Sequence, residues 1–417
     1  MRPYRLALLL AALASPGGAV TLDDAIAAAL AHDPSISIAD ATRDAAGGRL
    51  TQARSAGLPN VRLSGSIGVG QLDMRGFFGF SNNGVTPAAA QASIEQPLFS
   101  GGRVTAERDR ARAGLAAAEA GRTHARGQLA AAVATAYGDV LTTSALVESL
   151  RRLRDQTVEI NRQAGFRFKA GESPSTDVAQ AAARLAEAEG ALAAAEGAQA
   201  TARARYRNLV GEDPVGLAPL PTGPAAPATL DEAIALAGTN SPDIARAEAA
   251  LTAARAANHG ARAERMPTVG AFAEAGVVRD QFFPNYSANA ASVGVRANWQ
   301  LYNGGRTGGR VTETDAEARA AEARVRAARQ AVEEQVITLF EGLRTAKLVA
   351  VAAADQARAS EQARISVAHE VRVGMKPQLD LLDAEREAAL ATARVAQADA
   401  ARVTTAYRLS AAIGHNN

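Results

Sequence analysis

The chain states its plan twice. The stretch "TLDDAIAAALAHDPSI" from Thr21 returns as "TLDEAIALAGTNSPDI" from Thr229, and "LPNV" at Leu58 returns as "MPTV" at Met266, both 208 residues later. Gly102, Gly171 and Gly211 return as Gly305, Gly374 and Gly414 only 203 residues later, so the second copy loses five residues between Pro267 and Gly304. A tandem duplication restricts the fold to units that pack against a copy of themselves. It divides the chain into a leader at 1–19, repeat one at 20–211, a linker at 212–228 and repeat two at 229–417. The linker, "EDPVGLAPLPTGPAAPA" from Glu212, is Pro-rich and reads as an extended tether.

Inside each copy the periodicity switches. Val61, Leu63, Gly65, Ile67 and Val69 alternate with Arg62, Ser64, Ser66, Gly68 and Gly70. Val293, Val295, Ala297, Trp299 and Leu301 alternate in the same way with Gly294, Arg296, Asn298 and Gln300. Period two with one apolar face is a strand signal, and each copy offers one two-stranded hairpin. Strands of about 10 residues cross a bilayer when tilted. Aromatic residues bracket the apolar band, with Phe77, Phe78, Phe80, Phe282, Phe283 and Tyr286 near the hairpin loops and Phe99, Trp299 and Tyr302 at the other end.

After Gly102 and Gly305 the period becomes helical. Val311, Ala318, Val325, Val332 and Leu339 fall seven residues apart, which predicts left-handed supercoiling of neighbouring helices. Gly171 and Gly374 stop these helices, and Pro174 and Pro377 start the next ones. From Gly102 to Gly171 and from Gly305 to Gly374 is 69 residues each, a helix of roughly 100 Å. The return from Gly171 to Gly211 is 40 residues, and the segment from Thr21 to Arg54 adds 34. Stacked end to end, these two short helices match one long one. The repeated "SGGR" at Ser100 and "NGGR" at Asn303 are then the junctions where a strand becomes a long helix. A phosphate-binding loop is the competing reading of these glycines, but the Gly-Lys-Ser/Thr ending that loop requires is missing.

Arg2 and Arg5, the apolar stretch from Leu6 to Ala14, Pro16 and Gly17, and small residues ending at Ala19 read as a cleaved secretory signal with Val20 as the mature start. No cysteine occurs, so neither disulfides nor N-terminal cysteine acylation can anchor the mature chain. Beyond the leader there is no run of 18 apolar residues, which argues against a membrane-spanning helix but leaves β-strands as a route through a membrane. Apolar residues make up 47% of the chain and aromatics only 4%, which suits long helices packed through small side chains. The 45 Lys+Arg and 43 Asp+Glu interleave without forming a basic patch, so nucleic acid is not a partner. His32, His124, His259, His369 and His415 show no metal-ligand spacing, and no Ser-His-Asp pattern or cofactor fingerprint is present. The chain therefore reads as having no enzyme activity and no cofactor.

The segments "TLDDAIAAAL" with "DPSI", "EQPLFSGGR", "RFKAGESPSTDV", "HEVRVGMKPQLDLLDAE" and "AYRLSAAIG", in this order and partly duplicated, resemble the TolC family of outer-membrane efflux channels over essentially the whole mature chain. The resemblance implies an α+β membrane protein built as a tandem repeat of long helical hairpins and β-hairpins. As a homotrimer it would form a 12-stranded β-barrel in outer-membrane lipid and a 12-helix α-barrel tunnel in the periplasm. Two hairpins in each of three chains agree with that count, because four strands alone cannot close a barrel. The implied function is the exit duct of a tripartite efflux or type I secretion system. A periplasmic adaptor (membrane fusion protein) links such a duct to an inner-membrane transporter. The alternative is a periplasmic coiled-coil adaptor protein of an export system.

The resemblance also assigns residues. It places "FKAGE" from Phe168 and "VRVGM" from Val371 at the periplasmic tip, with Lys169, Gly171, Arg372 and Gly374 facing the adaptor. Carboxylates just inside the tip match Asp380 and Asp383, whose i, i+3 spacing puts both on one helix face, so three chains would supply a ring of six. The plainer reading of these acids is a solvated helix start favoured by the dipole. In relatives a Tyr and an Arg of the second turn hold an Asp of the first. Here Asp177, beside Thr176, matches the Asp and Lys376 stands at the Arg position, while Val371 replaces the Tyr. Such a gate should be weaker, because Lys lacks the bidentate fork of Arg and Val donates nothing.

Overall fold

The computed structural model describes residues 19–72, 83–281 and 285–415. The leader, and with it the proposed cleavage after Ala19, lies almost entirely outside the described residues, as do Phe77, Phe78, Phe80, Phe282 and Phe283. In chain order the elements are α1 (Leu22–His32), α2 (Pro34–Ser55), β1 (Asn60–Ile67), β2 (Gly70–Leu72), β3 (Asn83–Val85), β4 (Ala88–Phe99), α3 (Arg103–Lys169) and α4 (Ser175–Val210). The second series is α5 (Leu230–Asn240), α6 (Pro242–Ala263), β5 (Thr268–Arg279), β6 (Ser287–Asn298), α7 (Arg306–Arg372) and α8 (Gln378–Ala412). Two compact units emerge. One comprises residues 1–37, 123–241 and 333–417, the other residues 38–122 and 242–332. Each unit draws on both repeats, so the repeats are not separate bodies.

The repeated "TLDD" and "TLDE" are helix starts. Thr21 accepts a hydrogen bond from Asp24 N while the Asp24 carboxylate accepts one from Thr21 N, a reciprocal cap that satisfies two otherwise orphaned donors. Thr229 accepts from Glu232 N at 3.2 Å, and the Glu232 carboxylate accepts from Ala228 N at 2.8 Å. The arm behind each cap departs from expectation. The 34-residue helix expected from Thr21 to Arg54 is broken at Asp33, whose ψ of 127° is extended, and again at Ser241 with ψ of 125° in the second copy. Both residues precede a proline, which disfavours helical backbone at the position before it. Each short arm is therefore two helices, and 22-residue α2, not a 34-residue rod, leads to the first strand.

The sheet of the second unit has the order β1-β4-β5-β6 and is antiparallel throughout. It is open, and among the described residues the outer edges of β1 and β6 are unpaired. The short β2–β3 ladder extends the first hairpin, while β6 ends at Asn298 and so stops short of the expected Trp299 and Leu301. One sheet face is polar, with Arg62, Ser93 and Glu274 aligned across β1, β4 and β5. The other face is apolar and exposed, with Leu63 at 81%, Ile67 at 85% and Val293 at 84%. At both sheet-to-helix junctions two successive glycines take positive φ, at 63° and 94° for Gly101 and Gly102 and at 66° and 85° for Gly304 and Gly305. This left-handed backbone is open to glycine without a Cβ penalty, and α3 and α7 begin at the next residue.

In the first unit, Leu129, Val133, Ala136, Tyr137 and Val140 of α3 pack with Leu22, Ala25 and Ala29 of α1 and Ala202, Tyr206 and Val210 of α4. One 18-residue window of α3 reaches a mean hydropathy of 1.3, which corrects the expectation that no helix would be apolar enough to cross a membrane; 44% of that window is buried against the protein. The heptad reading of α7 holds over the first part of the helix: Thr307, Thr314 and Ala321 are buried seven apart, as are Val325 and Val332, and Val311 and Ala318 of the expected stripe are half-buried. The pattern steps by four residues from Val332 to Val336 and resumes seven residues on at Leu343.

The linker is extended, and it is bonded to the helices beside it. Leu217 forms a parallel bridge with Val20, in which Val20 N donates to Gly216 O at 3.1 Å and Ala218 N to Val20 O at 2.9 Å. The Tyr137 hydroxyl sits 2.8 Å from Val20 O and 2.7 Å from Ala218 O, and Arg402 of α8 donates to the carbonyls of Thr222 and Pro221 at 2.6 and 3.2 Å. Leu217 and Leu220 rest on the core. Proline keeps the backbone extended and leaves its carbonyls without internal donors, so neighbouring side chains take them.

Candidate functional site

The two helix-helix turns of the first unit are bonded alike. After α3, Gly171 N donates to Phe168 O at 3.0 Å and Glu172 N to Arg167 O at 2.9 Å; after α7, Gly374 N donates to Val371 O at 3.1 Å and Met375 N to Glu370 O at 2.8 Å. This is the paired closure that requires a left-handed residue, supplied by Gly171 at φ 76° and Gly374 at φ 79°. Pro174 and Pro377 then cap the next helices, and Asp177 N and Asp380 N each donate back to the capping proline at 3.2 Å. Basic residues close the first helices, Arg167 and Lys169 on α3 and His369 and Arg372 on α7, and Asp177 and Asp380 open the second, all in favourable senses for the helix dipoles.

Lys169, Gly171, Arg372 and Gly374 are all exposed at these turns. Beside them are apolar residues that charge and glycine patterns did not single out: Phe166, Phe168, Val373 at 68% and Met375 at 76% exposure. Thr176 is exposed and Asp177 half-buried, and among the described residues no hydrogen bond or ion pair joins either of them to Lys376 or half-buried Val371. Lys376 instead pairs with Glu370 of its own hairpin at 2.9 Å, and this contact, reinforced by Asp380, raises its pKa.

Asp380 and Asp383 differ in their surroundings. Asp380 is exposed and has no ion pair among the described residues. Asp383 lies 3.5 Å from Arg184 of α4, which also binds Glu187 at 3.0 Å, and Glu187 binds Arg386 of α8 at 3.1 Å. This alternating chain of four charges rims a cleft of about 450 Å³ whose floor includes Leu146, Leu150, Leu153 and Leu382. Two further contacts fix the hairpins. Gln378 Nε2 of α8 donates to Gln163 Oε1 of α3 at 2.7 Å, and Arg364 of α7 holds both Glu361 and Glu385 of α8. Those bonds raise the pKa of Arg364 and lower that of Glu361. The i, i+3 pairing of Arg364 with Glu361 is readable in sequence, whereas Glu385 is reached only through the fold.

A family model described as "Outer membrane efflux protein" matches residues 25–212 and 233–415. The outer membrane efflux protein BepC of Brucella suis biovar 1 is 28% identical over 254 residues, which cover 61% of this chain and 56% of BepC, so the match spans about half of that relative. Among solved structures, a membrane protein from Pseudomonas aeruginosa superposes with a TM-score of 0.81 at 20% identity, covering 94% of this chain and 93% of that one. The outer membrane protein VceC of Vibrio cholerae gives a TM-score of 0.78 at 20% identity, covering 94% and 96%. At these identities the likeness establishes a shared fold.

Proposed function

Because the chain belongs to the outer membrane efflux protein family, we propose that it is a trimeric exit duct, one that carries cargo outward from an inner-membrane transporter met through a periplasmic adaptor. It is an outer-membrane protein of a channel family, not an enzyme. The alternative of a periplasmic adaptor falls with that membership.

One observation carries the proposal: a four-stranded sheet with an exposed apolar face and two unpaired edges. In water such a sheet would leave a row of backbone donors and acceptors and a broad hydrocarbon surface unsatisfied. Lipid against the face and neighbouring copies along the edges satisfy both, and three copies supply the twelve strands of a closed barrel. The exposed Phe168, Val373 and Met375 with Lys169 and Arg372 form the surface offered to the adaptor. Asp380 and Asp383 line the constriction inside it, where carboxylates in a narrow lumen favour cations. Thr176, Asp177, Val371 and Lys376 make a weakly held gate, since Lys376 is already engaged by Glu370.

The experiment is size measurement of the purified protein in detergent, with three copies expected. A stable monomer in detergent-free buffer would refute the proposal. A deletion strain tested for both drug susceptibility and loss of secreted protein then reports the cargo.

A further inference from the structure

Each of the four points where the chain passes between sheet and helix carries one arginine: Arg54 ahead of β1, Arg103 after β4, Arg265 ahead of β5 and Arg306 after β6. Strand register puts all four crossings at the same end of the sheet, with Phe99 opposite Val269 and Thr268 opposite Asn298. All four side chains are exposed, and among the described residues none makes an ion pair or a side-chain hydrogen bond. Arginines nearby in the chain do pair, Arg112 with Asp109 at 2.9 Å, Arg262 with Asp315 at 3.8 Å and Arg310 with Glu264 at 3.3 Å. Arg103 and Arg306 moreover open helices that have no acid in their first turn, so they stand against the dipole.

Next to each arginine is exposed apolar surface. Leu58 follows Arg54, Leu98 and Phe99 precede Arg103, Met266 follows Arg265, and Trp299, Leu301 and Tyr302 precede Arg306 at 60%, 78% and 84% exposure. We propose that Arg54, Arg103, Arg265 and Arg306 form a collar that binds the phosphate of anionic phospholipids at the periplasmic edge of the membrane-spanning sheet. The inference rests on the membrane reading above and deepens it by naming a lipid partner. The apolar and aromatic residues occupy the hydrocarbon boundary, where Trp and Tyr are favoured. The arginine stems lie along that boundary while the guanidinium forks reach the headgroup phosphate, which they match bidentately. A headgroup with net negative charge is selected over a zwitterionic one, because choline cancels the field that an unpaired arginine would meet.

The test is native mass spectrometry of the purified oligomer in detergent, titrated with phosphatidylglycerol or with phosphatidylcholine of the same acyl chains. The wild type should retain phosphatidylglycerol preferentially and lose the preference in high salt. Substituting all four residues, Arg54→Gln, Arg103→Gln, Arg265→Gln and Arg306→Gln, should weaken phosphatidylglycerol binding at least about fivefold, the effect of a single basic residue near an anionic surface. It should leave phosphatidylcholine retention and oligomer size unchanged. Arg319→Gln, which removes an arginine paired with Asp315 at 3.6 Å, should have no effect. Equal retention of the two lipids, or an unaltered quadruple variant, overturns the collar. Inorganic phosphate displacing the lipid at submillimolar concentration overturns the lipid assignment in favour of a free-anion site. A protein that keeps neither lipid and needs no detergent instead overturns the membrane reading itself.

Discussion

Replacing Tyr137 by Phe should release the strap formed by residues 212–228 without unfolding the helices beneath it. Tyr137 is fully buried, and its single hydroxyl proton serves two carbonyls, Val20 O at 2.8 Å and Ala218 O at 2.7 Å. After the substitution Val20 O still accepts from Ala218 N at 2.9 Å, whereas Ala218 O loses the donor the tyrosine supplied. One buried acceptor left unsatisfied costs about 1–3 kcal/mol. The ring remains, with its tilted contact to Tyr206 at 6.3 Å between centroids, so little cavity cost is added. The loss falls on local opening of the strap, which should become about 5–150-fold more frequent at 1.4 kcal/mol per decade. Limited proteolysis under native conditions reads this opening, since cleavage tracks the open population when reclosing is fast. Fragment masses should place the accelerated cuts within 212–228. Burial also pushes the Tyr137 hydroxyl up to about 12, above the value near 10 of an unfolded tyrosine. Its contribution is therefore complete below about pH 10 and lost as pH rises through about 12, so wild-type cleavage should accelerate in that window, and the phenylalanine variant should lack this component. Cleavage at the wild-type rate at neutral pH would refute the clamp.

Two further outcomes are expected from the geometry. Gly101→Ala and Gly304→Ala both force a left-handed backbone on alanine, which costs about 1–2 kcal/mol. Only at Gly101 would the new Cβ also clash with Met266 Cβ and meet Ala263 O at 3.0 Å, so its melting temperature should fall further than that of Gly304→Ala, and equal shifts would contradict the packing at the first junction. At the tip, Asp380→Ala should remove more cation selectivity than Asp383→Ala, because Arg184 at 3.5 Å already offsets Asp383; reversal potentials in planar bilayers decide it, and equal effects would show that the ion pair does not persist in the assembled tunnel.

What local chemistry decides is legible in the sequence. The Gly-Gly junctions, the glycine-then-proline turns and the Thr-x-x-acid helix starts each depend on residues within a few positions of one another, and all stand where the spacing puts them. The linker shows where this ends. Its proline content implies extended backbone, but extended backbone says nothing about who takes the carbonyls, and the takers, Tyr137 and Arg402, stand on α3 and α8. Pro34 encodes the break at Asp33, a local signal that reckoning by total length passes over. The second line of the α7 seam is not readable from apolar residues alone, because threonines, Thr307 and Thr314, hold buried positions in heptad step with Ala321.

The tip acids make the same distinction in electrostatic terms. Spacing by three residues puts Asp380 and Asp383 on one helix face, yet a shared face does not give a shared potential. The charge that separates them belongs to Arg184, on another helix and in the other repeat, and Arg184 is itself divided between Asp383 and Glu187. Arg386, one turn beyond Asp383, completes the alternation by binding Glu187. The four groups carry no net charge together, so among the described residues Asp380 is the anion of this helix nearest the turn that has no ion pair, with Lys376 acting on it only at longer range. Each chain then brings one bare carboxylate and one compensated carboxylate to the proposed constriction, and three chains bring three of each. A ring of three strong and three weak anions still favours cations, but its field depends on whether Arg184 stays in place. Movement between α4 and α8 would uncover Asp383 and double the number of bare carboxylates. The selectivity of such a tip is therefore coupled to the packing of its two hairpins, a property that neither acid possesses alone.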